Sequence, residues 1–294
     1  MYPASFDYVA PATLDEAFAA LDRFGEDGKV LAGGQSLIPL MKLRFAAPSG
    51  LVDINGIEEL ADDVIEADGW LRIGARVRHK ACERAALLKG RYGTLAETAP
   101  QVSDPIVRNW GTVCGSLAHA DPQGDWASAL LAMDGEVVVR SSAGERAVPV
   151  SELLRGPFTT ALEPNEVITE ARVPDPGPRA GGAYLKLERK VGDFATVAVA
   201  VHVAMDNGTV RRAGVALTGV GPTNLRVPAA EEALSGRAPD EDAIRDASRL
   251  AAEAAQPRDD VRGTAEYKRN VVRVFTERGL RRAVAAARSA AEGG

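Results

Sequence analysis

Two short glycine-bearing stretches decide how this chain folds: Ala32-Gly33-Gly34-Gln35-Ser36 and Gly111-Thr112-Val113-Cys114-Gly115-Ser116. In each stretch, small residues expose backbone N–H groups beside a hydroxyl, which suits the close approach of a pyrophosphate. The first stretch follows a predicted strand (29–32) and precedes a predicted short helix (37–43), so its N–H groups face whatever lies above the loop. The sequence therefore predicts a phosphate-bearing ligand held by two separate loops.

The familiar nucleotide-binding motifs are missing from the chain. A Rossmann fingerprint needs a strand that leads into Gly-x-Gly-x-x-Gly, and Gly219-Val220-Gly221-Pro222 lacks the third glycine. Gly25-Glu26-Asp27-Gly28-Lys29 has the wrong spacing for a Walker loop. A dinucleotide would therefore be bound in a non-Rossmann manner.

Composition and charge narrow the class of protein. A chain of 294 residues can hold two domains or three small ones. Its net charge of −6 argues against nucleic acid or an anionic membrane as the main partner. The N-terminus lacks the pattern of a signal peptide, and no apolar run is long enough to span a bilayer, so we expect a cytoplasmic protein without membrane insertion.

Cysteine and histidine are too sparse for a metal centre. The chain has 2 cysteines and 3 histidines, so it cannot supply four thiolates for an iron–sulfur cluster or a cysteine-based zinc site. A disulfide between Cys82 and Cys114 is open in principle, but a reduced, cytoplasmic chain is the favoured interpretation. We predict no metal-binding residue and no catalytic acid–base pair.

Hydrophobic periodicity and turn signals predict three successive regions. A β–α–β–loop–α–β run ends near residue 55, and hairpins and helices follow up to the Pro-Gly-rich linker 174–178. Beyond the linker, strands are predicted at 183–187, 195–205 and 210–220, and helices at 229–234, 240–255 and 264–288. The predicted domains are accordingly 1–55, 56–176 and 177–294.

Three flanking motifs carry a family resemblance. Lys-Leu-Arg (42–44) follows the first stretch, Ala-His-Ala-Asp-Pro (118–122) follows the second, and Lys-x-x-Arg-x-x-Gly-Asp-Phe-Ala occupies 186–195. From residue 6 to about 285 the chain resembles the FAD-binding medium subunit of molybdenum hydroxylases, the family of carbon monoxide dehydrogenases and bacterial xanthine dehydrogenases. The resemblance implies an α+β fold with two FAD-binding subdomains of the vanillyl-alcohol-oxidase type. A C-terminal three-stranded antiparallel sheet with helices would follow them.

The resemblance also implies the cofactor, FAD, and the residues that bind it. These residues are Ala32, Gly33, Gly34, Gln35, Ser36, Leu37, Thr112, Val113, Cys114, Gly115, Ser116, Asp125, Ile168 and Lys186. Asp125 would accept a hydrogen bond from the ribityl chain, although by itself it reads as a helix N-cap. Lys186 would contact the edge of the isoalloxazine, and His119 would be structural rather than a proton shuttle. Many relatives carry Gly-Gly where this chain has Cys114-Gly115, and some carry His at the position of Gln35.

The implied function is that of one module in an electron-transfer enzyme. A molybdopterin-binding large subunit would oxidise the substrate, and a small subunit with two two-iron two-sulfur clusters would pass electrons to FAD on this chain. The final acceptor (oxygen, NAD or a quinone) and the organic substrate stay open. Two alternatives also stay open: a freestanding FAD enzyme on the same fold, like UDP-N-acetylenolpyruvoylglucosamine reductases or alcohol oxidases, and an interaction module that has lost its flavin.

Overall fold

The computed structural model describes residues 2–292, and the side chains of residues 2–290. The first segment contains β1 (Asp7–Val9), α1 (Leu14–Phe24), β2 (Gly28–Leu31), α2 (Leu37–Lys42) and β3 (Gly50–Asp53). Its three strands form a parallel sheet in the order β1-β3-β2. Helix α1 begins at a Thr-x-x-Glu sequence, where the Thr13 hydroxyl accepts a hydrogen bond from the Glu16 backbone N–H and the Glu16 carboxylate accepts one from the Ala12 N–H.

The second segment builds a five-stranded sheet around a strand that the sequence analysis did not predict. Its elements are β4 (Val64–Ala67), β5 (Trp70–Gly74), α3 (His79–Arg84), α4 (Gly93–Thr98), α5 (Pro105–Trp110), α6 (Val113–His119), α7 (Asp125–Ala132), β6 (Glu136–Ser141), β7 (Gly144–Pro149), α8 (Val150–Leu153), β8 (Leu154–Gly156), β9 (Thr159–Thr160) and β10 (Val167–Pro174). The unpredicted strand, β10, lies at the centre of the antiparallel order β4-β5-β10-β6-β7. Strands β8 and β9 form a small separate ribbon.

The third segment corrects the predicted strand count. It contains β11 (Ala180–Leu187), β12 (Val197–Asp206), β13 (Thr209–Thr218), β14 (Leu225–Arg226), α9 (Pro228–Leu234), α10 (Glu241–Ala254) and α11 (Ala265–Glu292). The antiparallel sheet has four strands and not three, because Leu225 and Arg226 pair with β13. A two-residue strand shows no alternation, and the sequence pattern therefore does not reveal it.

The C-terminal sheet joins the second segment to the C-terminal helices. Along β12, Ala198 and Ala200 belong to the core around Trp126, whereas Val199 and Val201 pack into a second core with α10 and α11. Successive strand residues face opposite sides of a sheet, so the strand is buried on both faces. A third core lies beneath the first sheet, around helix α1.

The three larger sheets follow one another along the chain, the β8–β9 ribbon lies within the span of the second, and no sheet crosses residues 55/56 or 176/177. The domain boundaries nevertheless stay predictions, and the outermost limits, residues 1 and 294, lie outside the described residues. Within residues 2–292, no helix is both long enough and apolar enough to cross a membrane.

Candidate functional site

The loop between β2 and α2 forms a row of free hydrogen-bond donors. No described residue accepts a hydrogen bond from the backbone N–H groups of residues 33–36. Gly34 has a φ of +70°, a left-handed conformation that favours glycine. A Cβ on Gly33 would lie 2.3 Å from the Trp110 carbonyl oxygen and 2.7 Å from the Gly111 Cα. Both glycines are therefore required, one by the turn and the other by close contact with the second stretch.

These donors line a large cleft at the meeting point of the three segments. The cleft has a volume of about 990 Å³ and is bordered by 28–37, 111–125, 158–168, Lys186 and 192–194. That volume lies at the upper end of the range for small-molecule sites. All fourteen predicted site residues except Val113 line it. Val113 is fully buried, and its backbone N–H donates to the Val77 carbonyl.

The second glycine-bearing stretch is a helix start rather than a loop, which corrects the sequence-based expectation. Thr112 caps α6, since its hydroxyl accepts from the Gly115 N–H at 3.1 Å and its carbonyl accepts from the Ser116 N–H at 3.0 Å. The N–H groups of Gly115 and Ser116 are therefore occupied within the helix. The Cys114 N–H has no acceptor among the described residues. On this side of the cleft, the donors that this stretch leaves available include the Cys114 N–H and the Ser116 hydroxyl.

The side chain of Cys114 points away from the ligand space. It is 3% exposed, and its Sγ lies 3.9 Å from the carbonyl oxygens of Ile73 and Gly74. Burial raises the pKa of this thiol above its usual range, so it stays protonated. Cys82 is equally buried, and both cysteines are free. Cysteine at position 114 therefore preserves the backbone of the cleft without adding a reactive group.

Asp125 and Lys186 form a buried ion pair at the floor of the cleft. The Lys186 Nζ lies 3.0 Å from Asp125 Oδ2, and the Tyr184 hydroxyl donates to Asp125 Oδ1 at 2.7 Å. Lys186 also donates to the Gln101 carbonyl at 2.8 Å. Burial raises the pKa of Asp125, and the charge of Lys186 and the Tyr184 hydroxyl oppose that rise. Asp125 is not the N-cap of α7, because that position belongs to Gly124.

The Gly-Asp-Phe-Ala segment closes one wall of the cleft. Asp193 forms salt bridges with Arg189 at 3.2 Å and with Arg262 at 3.3 Å. Arg262 also donates to the Phe194 carbonyl at 2.9 Å, which ties the segment to the loop that precedes α11. Phe194 is half exposed and lines the cleft.

Several parts of the cleft wall were not predicted from the sequence, and two of them carry aromatic or histidine side chains. Apart from Ile168, the ribbon and loop of residues 158–168 were not predicted, although Phe158 packs on His119 with ring centroids 5.2 Å apart. Burial lowers the pKa of His119, which agrees with a structural role. His79 on α3 was also missed. No motif marks either place, because the chain brings them to the cleft only through long-range packing.

Fold and cleft together define a dinucleotide-binding protein of a non-Rossmann class. Residues 4–176 match the family model described as the FAD binding domain in molybdopterin dehydrogenase. Residues 182–283 match the model described as the CO dehydrogenase flavoprotein C-terminal domain. Together these two matches leave out only the ends of the chain and a short stretch around the predicted linker.

Individual relatives agree with the family models. The medium chain of carbon monoxide dehydrogenase from Hydrogenophaga pseudoflava is 39% identical over 280 residues, which cover 95% of this chain and 97% of the relative. Subunit alpha of the 6-hydroxypseudooxynicotine dehydrogenase complex from Paenarthrobacter nicotinovorans is 36% identical over 293 residues, 99% of each chain. A solved carbon monoxide dehydrogenase from H. pseudoflava, lacking the Mo-pyranopterin moiety of its cofactor, superposes with a TM-score of 0.93 at 41% identity, covering 97% and 99% of the two chains. This chain belongs to the family of FAD-binding medium subunits of molybdenum hydroxylases, and its cofactor is FAD.

Proposed function

We propose that this chain carries FAD as the electron-transfer subunit of a molybdenum-containing dehydrogenase. The observation that supports the proposal most directly is the row of four free N–H groups at 33–36, which faces a cleft in a chain of this family. A run of unpaired donors around a glycine with positive φ is an anion-binding arrangement. The residues present therefore fit a cofactor that contains a pyrophosphate.

Individual contacts to FAD follow from the same arrangement. We place the pyrophosphate over Gly33-Gly34 and beside the Cys114 N–H and Ser116 hydroxyl. Asp125 would accept from the ribityl hydroxyls, with Tyr184 and Lys186 holding its carboxylate in place. Lys186 would contact the edge of the isoalloxazine, where a cation favours negative charge. We also retain the three predicted domains and the vanillyl-alcohol-oxidase type for the first two.

The proposed partners follow from two observations: the described residues hold no candidate metal site, and the relatives are subunits of dehydrogenase complexes. Among the described residues, no group of three or more His, Cys, Asp or Glu could hold a metal ion. We propose that a molybdopterin-binding large subunit and a small subunit with two two-iron two-sulfur clusters complete the enzyme. When bound, FAD converts one-electron input into two-electron output. The two free, buried thiols support a cytoplasmic complex, and the terminal acceptor is left open between oxygen, NAD and a quinone.

The experiment compares the isolated chain with the complex. The chain is purified alone and after co-expression with a molybdopterin-binding subunit and a cluster-bearing subunit. We expect FAD in both preparations, and flavin bleaching by the organic substrate only in the complex. Rapid bleaching of the isolated flavoprotein by an organic substrate would favour the freestanding enzyme. Failure of the isolated chain and the complex to retain FAD would leave only the interaction module.

A further inference from the structure

A buried histidine that no sequence motif marks aims a hydrogen-bond donor into the cleft. His79 is the first residue of α3, is 4% exposed and lines the cleft beside Gly111. Its backbone N–H donates to the Gly111 carbonyl at 2.9 Å. Its ring lies against Trp126 with centroids 6.0 Å apart and planes inclined by 25°. Backbone and ring are therefore both fixed.

The proton on the His79 ring is also fixed. The Trp126 indole donates from Nε1 to His79 Nδ1 at 2.9 Å. An indole N–H can only donate, so Nδ1 must carry the lone pair. Burial lowers the pKa of His79 to about 3, and the positive charges of Arg108 and Arg78 lower it further. The ring is neutral at physiological pH, and its single proton is on Nε2.

This Nε2–H has no acceptor among the described residues. The Nε2 atom is not fully occluded by protein, and because His79 lines the cleft, Nε2 is accessible from there. A Cβ on Gly111 would lie 2.7 Å from Nε2, which places Nε2 where Gly111 meets Gly33. Leaving a buried N–H without an acceptor is unfavourable, and such a group normally finds a partner. Here the acceptor must come from the cleft.

We propose that the Nε2–H of His79 donates a hydrogen bond to a phosphate oxygen of the dinucleotide. The inference rests on the proposed function, since it assumes that FAD occupies this cleft. The same cleft is lined by the unpaired N–H donors of residues 33–36, so the bound group must offer several acceptors. A phosphate does so, whereas the adenine and isoalloxazine rings present donors as well. Because the tautomer is fixed by Trp126, the donor is pre-oriented before the cofactor arrives.

Two substitutions separate the Nε2 donor from the packing of the ring. His79→Asn retains an acceptor near the Nδ1 position for Trp126 and removes the Nε2 donor. His79→Gln retains an N–H donor near the Nε2 position and loses the acceptor for Trp126. Apoprotein of the full chain is titrated with FAD and with ADP, with adenosine as a ligand that lacks phosphate. Thermal unfolding of each apoprotein is recorded in parallel.

We expect His79→Asn to weaken FAD and ADP by about tenfold or more, and adenosine not at all, because the lost bond is to a charged group. His79→Gln should retain FAD affinity within a few fold despite a lower melting temperature. The reverse order, with His79→Gln the weaker binder, would show that only the Trp126 contact matters. If wild-type chain fails to bind FAD, the proposed function fails; if it binds FAD but His79→Asn binds equally well, only this inference fails.

A measurement on the unmodified chain keeps the proposal testable if the variants do not fold. With 15N-labelled histidine, the three histidines give few ring signals to assign. We expect the His79 Nε2–H proton to shift downfield when ADP is added and to stay unchanged with adenosine. An unchanged signal with ADP at saturation would overturn the proposal.

Discussion

The row of N–H groups at 33–36 shows how single residues build this site from the backbone. Ser36 stands before α2, and its side chain makes no capping hydrogen bond there. An aspartate at such a position caps a helix well and interacts favourably with its N-terminus. The same carboxylate would occupy the donors that a pyrophosphate needs. Helix stability and cofactor binding therefore make opposite demands at this residue.

Ser36→Asp should separate these two demands. We expect FAD affinity to fall at least tenfold, because the carboxylate repels the pyrophosphate and occupies its donors. The free energy of unfolding of the apoprotein should stay the same or rise by about 1 kcal/mol. Ser36→Asn is the control, since it has the same shape without the charge and should bind FAD more tightly than Ser36→Asp. FAD titration measures the affinity, and urea denaturation measures the free energy of unfolding. Equal FAD affinities of Ser36→Asp and Ser36→Asn would exclude an anion at this loop.

At the same scale, the sequence identified thirteen residues that line the cleft but not their hydrogen-bond partners. The two glycines are recognisable from their residue type and their place between a strand and a helix, whereas Asp125 was assigned to the site only through the family resemblance. The Tyr184–Asp125 contact joins residues that are 59 positions apart, and no local pattern predicts such a pair. The hydrogen bond from Trp126 to His79 spans 47 positions and was missed for the same reason. A local pattern of residue types can be recognised in the sequence, whereas a hydrogen bond between residues far apart in the chain cannot.

At the scale of elements, the second glycine-bearing stretch is the clearest difference between expectation and structure. Gly-Thr-Val-Cys-Gly-Ser reads as a loop because glycine and β-branched residues disfavour helices. The Thr112 hydroxyl nevertheless begins a helix there, and buried Val113 and Leu117 pack it into the core. The central strand β10 was missed for a related reason, since burial against two neighbouring strands is a tertiary effect. Tertiary packing overrides propensity in both elements.

Removing the cap of α6 should weaken both the fold and cofactor binding. Thr112→Val keeps the shape of the side chain and leaves the Gly115 N–H without its acceptor. We expect the free energy of unfolding to fall by about 1 to 2 kcal/mol. FAD affinity should fall several-fold as well, since Cys114 and Ser116 lie in the first turns of the helix. Thr112→Ser, which keeps the hydroxyl, should retain most of the stability and most of the FAD affinity. If Thr112→Val binds FAD normally, the N-terminus of α6 is not part of the cofactor site.

At the scale of the whole molecule, the histidines link stability to pH. The chain has 3 histidines, and all of them have a lowered pKa. His202 is fully buried in β12, where its Nδ1 lies 3.1 Å from the Thr94 hydroxyl and its Nε2 has no partner among the described residues. Burial lowers the pKa of His202 to about 3, as it does for His79. Both rings must stay neutral in the folded protein.

Stability of the apoprotein should therefore decrease as the pH falls from 7 to 5. In the unfolded chain a histidine takes up a proton near pH 6.5, whereas folded His79 and His202 take one up only near pH 3. The unfolded state then binds more protons, and two such histidines lower the free energy of unfolding by about 4 kcal/mol between pH 7 and 5. The raised pKa values of Asp125 and Glu170 act in the opposite direction, because burial favours their protonated forms in the folded state. The measured pH dependence of the free energy of unfolding is thus the sum of these contributions. The contribution of one histidine is obtained by comparing wild type with a variant that lacks it.

Comparing wild type with His202→Asn measures the contribution of His202 to the pH dependence of stability. Asparagine can keep a hydrogen bond to Thr94 but does not titrate, so this variant should lose about half of the histidine contribution. We expect it to be less stable than wild type at pH 7 because of the cavity, and to lose about 2 kcal/mol less than wild type between pH 7 and 5. Urea denaturation at a series of pH values measures both quantities. Parallel pH profiles for the two proteins would mean that His202 is protonated in the folded state, in conflict with its burial and with the positive charge of neighbouring Arg212.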